Sequence, residues 1–362
     1  MTVPGPETPD LDPSASEVEA WLYEHAPPER LESARALYEL MPSQSNRQLP
    51  FVYMPYNAAS EAHWADAARI ADYAAAMPRG AARVLDIGPG DGWPSLPLAA
   101  ARPEVEVVGI DPSPVRARVC VANAKRLALA NARFLNGDAA RLPFADTRFD
   151  GIVAANSLEE AAEPASVFAE LARVLRPGGV LRVSYQDWRL DAPEFETVHL
   201  WGGSERGERV LLYSYSRRVQ LPALERRYTL VLPAEGPTAR LHSDALMTVA
   251  LAPRAYGETL LEGPWAALGV PLLRHLAPHA RRSTVLELQR WTTAWLVEAL
   301  LAAGFSEARG TAHPGELARH RARELLAAGG TKPAEAKFKA EIASIGPAAA
   351  STEGDEMVIA VR

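Results

Sequence analysis

Residues 84–93 read Val-Leu-Asp-Ile-Gly-Pro-Gly-Asp-Gly-Trp, with Gly88, Gly90 and Gly92 at alternate positions. An apolar run from Ala82 to Ile87 leads into them, and a helix-like run from Pro94 to Ala101 follows. Strand, glycine turn and helix in that order leave a backbone surface that a ligand can approach without meeting Cβ atoms. The helix start adds free N–H groups for polar or anionic atoms. The stretch therefore predicts a nucleotide-like ligand.

A dinucleotide site calls for Gly-x-Gly-x-x-Gly/Ala, whose last small residue lets helix and strand pack closely. Counted from Gly88, that position falls on Trp93, the bulkiest side chain available. Asp86 also sits inside the strand end, where a dinucleotide needs no carboxylate. Both points count against a nicotinamide cofactor. The pattern Asp86-x-Gly88-x-Gly90-x-Gly92 instead resembles the first motif of class I S-adenosylmethionine-dependent methyltransferases.

From Ala82 to Tyr185 short apolar runs alternate with helical patterns, as in a parallel sheet covered on both faces. Strands are expected at Val105–Ile110, Ala132–Leu135, Phe149–Ala154 and Val180–Tyr185, the last after the breaker cluster Arg176-Pro177-Gly178-Gly179. Ligands of such sheets bind beyond the strands' C-terminal ends, where this chain carries carboxylates. Asp111 lies 19 residues after Gly92, near the spacing at which an acid accepts from both ribose hydroxyls. Asp138 ends the next strand and can accept from an adenine amine while the Ala139 N–H reaches a ring nitrogen. Taken singly, each acid is equally well a helix cap or turn aspartate; the ordered set points to a ligand.

Leu85 to Gly92, Gly109-Ile110-Asp111, Asn136-Gly137-Asp138-Ala139, Leu142-Pro143-Phe144 with Phe149-Asp150, and Leu175 to Gly179 resemble the successive class I methyltransferase motifs. The subgroup they look like is the ubiquinone and menaquinone biosynthesis type. The resemblance implies a Rossmann-like seven-stranded α/β sheet, its sixth strand at Ser306–Arg309 and its antiparallel last strand at Met357–Val361. It also implies S-adenosyl-L-methionine as cofactor, held by Asp86, Gly88, Gly90, Gly92, Asp111, Pro112, Asp138, Ala139, Asn156, Ser157 and Tyr56. Asp86 would orient the glycine turn or the cofactor's amino group.

Around this core, residues 81–187 and 283–362, the chain carries additions. Residues 1–16 read as a disordered tail and 17–80 as an N-terminal helical extension or lid, with Tyr53 and Tyr56 able to cover the cofactor. A helix is expected over Leu286 to Ala303. Residues 188–282 alternate apolar and polar at Arg209–Val219, Arg226–Leu232 and Leu241–Leu251, which predicts an inserted antiparallel β-rich cap. Substrate recognition and homodimerisation are both open for it.

The 362-residue chain has a net charge of −7, which disfavours a nucleic acid as main partner. Cys120 is its single cysteine, so no intrachain disulfide and no cysteine metal cluster is expected. No signal sequence or membrane-length apolar run is evident, so the chain reads as cytoplasmic and without a membrane partner. His275 and His279 have ligand spacing, but Pro278 lies between them and no third ligand is evident. No metal is expected.

Methyl transfer needs alignment and exclusion of water, and a general base only where the acceptor must lose a proton. Glu159, on the segment Asn156-Ser157-Leu158-Glu159-Glu160, is the leading base; a solvent-facing helix-start glutamate is the alternative. Tyr185 and Asp187 are further pocket candidates, and His242 reads as a strand filler. The segment lacks the Asn/Asp-Pro-Pro-Tyr pattern that grips planar nitrogens. The expected activity is methyl transfer to oxygen or carbon of a small metabolite. The alternatives are a non-catalytic cofactor-binding interaction or regulatory protein of the same fold, and an NAD-dependent oxidoreductase.

Overall fold

The computed structural model describes residues 15–31, 33–40, 57–161, 163–185, 195–206, 208–219, 224–236, 259–262, 273–327 and 335–362. In chain order the elements begin with α1 (Glu17–His25), β1 (Glu29–Arg30), α2 (Arg35–Leu40), α3 (Glu61–Ala76), β2 (Arg83–Ile87), α4 (Ser95–Ala101) and β3 (Glu106–Asp111). There follow α5 (Pro114–Arg126), β4 (Ala132–Asn136), β5 (Phe149–Ala155), α6 (Pro164–Val174), β6 (Leu175–Ser184), β7 (Phe195–Glu205), β8 (Glu208–Val219), β9 (Leu224–Pro233) and β10 (Thr259–Glu262). Last come β11 (Arg282–Gln289), α7 (Thr293–Ala302), β12 (Glu307–Thr311), α8 (Pro314–Ala327), α9 (Glu335–Ser351) and β13 (Met357–Val361). The chain divides into two compact units, Met1–Pro42 with Arg189–Arg290 and Ser43–Trp188 with Trp291–Arg362.

The second unit holds the glycine motif. Its seven-stranded sheet runs β12-β13-β6-β5-β2-β3-β4. All neighbours are parallel except β13, which is antiparallel to both β12 and β6. This is the Rossmann-like sheet, with its antiparallel last strand, that the motifs implied. Both faces are covered, which explains the unbroken apolar runs. Leu85, Ile152 and Leu181 pack with Phe168 and Leu171 of α6 and Leu296 and Leu300 of α7. Val84, Val107 and Val153 pack on the other face with Tyr73 of α3 and Leu98 of α4. From β2 the chain builds outward through β3 and β4, then returns to β5 on the opposite side of β2. That reversal opens a crevice at the C-terminal ends of β2 and β5.

One buried ion pair ties α3 to this sheet. Arg182 of β6 donates from Nε and Nη2 to the two Asp72 oxygens at 2.8 and 2.9 Å, and from Nη1 to the Thr311 hydroxyl at 2.7 Å. Both charged side chains are fully buried. Burial raises the Asp72 carboxyl pKa, and the adjoining Arg182 opposes that shift.

The first unit is a six-stranded sheet, β1-β11-β9-β8-β7-β10, antiparallel apart from the β1–β11 pair. Alternation along the strands sends side chains to opposite faces. Tyr213, Tyr215, Tyr228 and Leu230 meet Val18 and Leu22 of α1. Val210, Leu212 and Val231 meet Leu40 of α2, and Leu286 and Leu288 meet Leu37. The α1 residue Glu19 is wholly buried and accepts from Arg217 at 2.7 Å, Arg226 at 3.1 Å and the Tyr228 hydroxyl at 3.0 Å.

Three expectations differ from the structure, the first being that β6 begins at Leu175, so that Arg176-Pro177-Gly178-Gly179 lies inside the strand rather than before it. The helix expected over Leu286 to Ala303 is strand through Gln289, because β11 pairs with β9 along its whole length. The helix begins at Thr293, where the Thr292 hydroxyl accepts from the Trp295 N–H at 3.2 Å. The stretch 17–80 is shared between the units, α1 to α2 lying in the first and α3 in the second. The strand expected at Leu241–Leu251 lies outside the described residues.

Removing one partner of a desolvated pair strands the other charge. Asp72→Ala should therefore lower the stability of the second unit by about 3–5 kcal/mol in urea unfolding, while Asp72→Leu combined with Arg182→Met loses much less. Equal losses for the two variants would refute the assignment.

Candidate functional site

The glycine turn starts where β2 ends. Gly88, Gly90 and Gly92 all have positive φ, at 69°, 57° and 118°. At Gly88 a Cβ atom would stand 2.6 Å from the Ser157 Cβ, so only glycine lets the turn close on the end of β5. At Gly90 a Cβ would meet nothing within 4 Å, which leaves that side of the turn open for a ligand. The Gly88 N–H donates to the Ile110 carbonyl at 2.9 Å, and the Cys120 thiol donates to the Gly90 carbonyl at 3.1 Å. Burial raises the pKa of that thiol, so Cys120 serves as a donor beneath the turn.

Asp111, at the end of β3, braces the turn from the other side. One carboxylate oxygen accepts from the Gly90 N–H at 3.1 Å and the other from the Ser113 N–H at 2.8 Å. Each oxygen keeps a lone pair for a ligand hydroxyl. The side chain is buried, and desolvation raises its pKa while those two backbone bonds oppose the shift. The Asn136 amide donates to the carbonyls of Asp111 and Pro112, both at 2.9 Å, and fixes the loop after β3. Asp138 is exposed and accepts from the Ala140 N–H at 2.9 Å, which folds the turn that carries Ala139.

Asp86 lies beneath the turn with no exposure at all. One oxygen accepts from the Ser95 hydroxyl at 2.5 Å; the other is buried and has no hydrogen-bond partner among the described residues. Desolvation pushes this carboxyl up to about 7 against the Ser95 hydrogen bonds, with the nearby Asp111 adding to the rise. Asp91 is paired with Arg116 at 2.7 Å.

The opposite wall is the end of β5. Asn156 has a φ of 52°, a left-handed conformation that asparagine accepts more readily than most residues. The Ser157 hydroxyl donates to the Ile87 carbonyl at 2.6 Å and locks the end of β5 to the end of β2. Glu159 follows on a 3-10 turn, Leu158–Glu160, and is buried rather than solvent-facing. Tyr185 is also buried, its hydroxyl bonded to that of Thr293, which donates to the Asp355 carbonyl at 2.8 Å. Asp86, Asp111, Asp138, Asn156 and Ser157 thus sit at the C-terminal ends of adjacent parallel strands.

Sequence reasoning missed Arg69 and Tyr73, which stand one helical turn apart on α3. Arg69 Nη2 donates to Asn156 Oδ1 and to Ser184 Oγ, both at 3.0 Å, and the Tyr73 hydroxyl bonds Ser184 Oγ at 2.9 Å. The guanidinium lies 4.1 Å from the centre of the Trp93 ring. The available signal was that i, i+4 polar pair on a helix leading directly into the motif strand. Tyr53, Tyr56, Asp187 and His242 lie outside the described residues. Among the described residues no metal-ligating cluster occurs, and no helix is long and apolar enough to cross a membrane.

The segment that holds the glycine turn is similar to known proteins. Residues 84–179 match the methyltransferase domain family. A 132-residue stretch is 33% identical to an uncharacterised methyltransferase of Mycobacterium sp. strain JLS, covering 36% of this chain and 50% of that protein. A 115-residue stretch is 38% identical to the demethylmenaquinone methyltransferase of Deinococcus radiodurans, covering 31% of this chain and 46% of that protein. The solved structure of YcgJ from Bacillus subtilis is 30% identical over 34% of this chain and 51% of that one, with a TM-score of 0.31. The matched segment is a class I methyltransferase domain, the class whose cofactor is S-adenosylmethionine. Several of the relatives, that of Deinococcus radiodurans among them, are named demethylmenaquinone methyltransferase, and others are named only as methyltransferases. The chain spans about half the length of the curated relatives it matches.

The raised Asp86 pKa has a measurable consequence. The folded protein keeps this proton between pH about 4 and the folded value of about 7, whereas the unfolded chain releases it. Wherever the folded state binds more protons, stability falls as pH rises. Calorimetric melting should show Asp86→Asn gaining on the unmodified protein from pH 5 to pH 8. A difference independent of pH would contradict the buried, unpaired carboxyl.

Proposed function

We propose that the chain transfers the methyl group of S-adenosylmethionine to oxygen or carbon of a small, partly apolar metabolite. The observation that carries this reading is the cradle formed by the positive-φ turn at Gly88–Gly92 together with Asp111, which is hydrogen-bonded to Gly90 and retains acceptor capacity. A vicinal diol suits Asp111, and an adenine amine suits Asp138 with Ala139. An ammonium group suits the unpartnered oxygen of Asp86. Pro112, Asn156 and Ser157 would shape the walls. When bound, the cofactor supplies a methyl carbon already activated by its sulfonium.

The protein's own part is alignment and dryness. Asn156 and Ser157 fix one wall of the crevice through bonds to Ser184 and Ile87, so little reorganisation accompanies binding. The Gly88–Gly92 turn and Asp111 would hold the cofactor as its methyl group passes to the acceptor's lone pair or ring carbon, leaving the neutral thioether. The acceptor then gives up one proton, and Glu159 is the residue proposed to receive it. Tyr185 is proposed to line the pocket through its ring, its hydroxyl being bonded to Thr293. Relatives named demethylmenaquinone methyltransferases support a reduced, demethylated naphthoquinone as the acceptor class to try first.

Neither alternative gains support. A dinucleotide site needs a small residue where Trp93 carries the Arg69 guanidinium on its ring. The methyltransferase names of the relatives favour an enzyme over a non-catalytic binder.

Calorimetric titration should show S-adenosylmethionine and S-adenosylhomocysteine binding, with affinity at least about tenfold weaker in Asp111→Ala, and no heat from NADH. Binding of NADH alone would overturn the proposal. With a demethylnaphthoquinol as acceptor, Glu159→Gln should lower kcat by about a hundredfold or more and leave S-adenosylhomocysteine affinity unchanged. An unchanged kcat would remove Glu159 from the reaction.

A further inference from the structure

Two buried N–H groups beside the glycine turn have no acceptor among the described residues. They are Arg69 Nε and Trp93 Nε1. Both belong to one assembly, because the Arg69 guanidinium lies 4.1 Å from the centre of the Trp93 ring. Its position is set before any ligand arrives, since Nη2 is held by Asn156 Oδ1 and Ser184 Oγ, both at 3.0 Å. Tyr73 fixes the same serine through a 2.9 Å hydrogen bond and meets the Trp93 ring edge-on at 6.1 Å between centroids. Among the described residues Arg69 forms no ion pair with a carboxylate. Asp66 and Asp72 both act on it electrostatically, and Asp72 is itself paired with Arg182 of β6.

Buried donors without acceptors are costly unless a ligand completes them. A guanidinium with spare N–H groups, backed by an indole N–H, calls for a planar anion, and a carboxylate fits best. Trp93 directly follows Gly92, so this donor pair belongs to the cofactor side of the crevice. Asp86, beneath the same turn, holds an unpartnered carboxylate oxygen. One guanidinium and one buried carboxyl, which an ammonium partner would hold ionised, flank one turn and match the two charges of an α-amino acid.

We propose that Arg69 and the Trp93 indole N–H receive the carboxylate of the cofactor's methionine end, and so act as specificity residues for the amino-acid part of the ligand. This rests on the S-adenosylmethionine reading. It also gives Trp93, the residue that breaks the dinucleotide pattern, a positive role.

The test compares two ligands that share the adenosine and the sulfur. S-adenosylhomocysteine carries the carboxylate and 5′-methylthioadenosine does not. Calorimetric titration of the full chain should show Arg69→Met weakening S-adenosylhomocysteine by about tenfold or more and changing 5′-methylthioadenosine by less than about twofold. Arg69→Lys, which keeps the charge and loses the fork, should fall between. Trp93→Phe, which keeps the ring and loses the N–H, should weaken S-adenosylhomocysteine by about threefold. Equal weakening of both ligands, or no change for either, would overturn the proposal while leaving the cofactor assignment in place. If the unmodified protein binds neither ligand, the cofactor assignment and this proposal fall together.

Discussion

Gly88 approaches the end of β5 so closely that a Cβ there would lie 2.6 Å from the Ser157 Cβ. That contact, reinforced by the Ser157 hydroxyl on the Ile87 carbonyl, is what the second unit is arranged around. It joins two strands that are far apart in sequence at the point where the chain reverses direction across the sheet. With the ends of β2 and β5 pinned, the turn can only arch toward β3, where Asp111 accepts from Gly90. The crevice is thus a consequence of strand order and of one glycine that nothing larger can replace.

The same compactness sets the electrostatics. Asp86 and Asp111 are both held out of water, and each carboxyl is shifted upward by desolvation. A folded protein tolerates such groups at functional sites when a ligand repairs the deficit. Here the deficit has two signs: a carboxylate oxygen without a donor beneath the turn, and Arg69 and Trp93 donors without acceptors beside it. The Arg182–Asp72 pair, formed between β6 and the same helix α3, is satisfied by protein atoms alone and works as a structural tie.

Much of this was legible in the sequence, because parallel strands buried on both faces must be apolar and their ligand-facing ends must be polar. The five strands from β2 to β6, the glycine turn and the strand-end acids follow from local pattern, whereas β12 and β13 follow from the resemblance to class I methyltransferases. What escaped depended on distant partners. Leu286 reads as the start of a helix until β9 is known to lie beside it. Glu19 reads as an ordinary first-turn acid on α1, and only Arg217 and Arg226 explain its burial. Arg69 and Tyr73 matter because α3 brings them to Asn156 and Ser184, which lie 87 and 111 positions further along the chain. Glycine and proline leave local signatures; an arginine recruited by another element does not.

The most direct measurement is a crystal structure of the full chain grown with S-adenosylhomocysteine. The account predicts density along the Gly88–Gly92 turn, with the ribose hydroxyls on Asp111, the adenine beside Asp138 and Ala139, and the amino-acid end between Asp86 and Arg69. A ligand bound elsewhere, or bound there with its ribose turned away from Asp111, would contradict it.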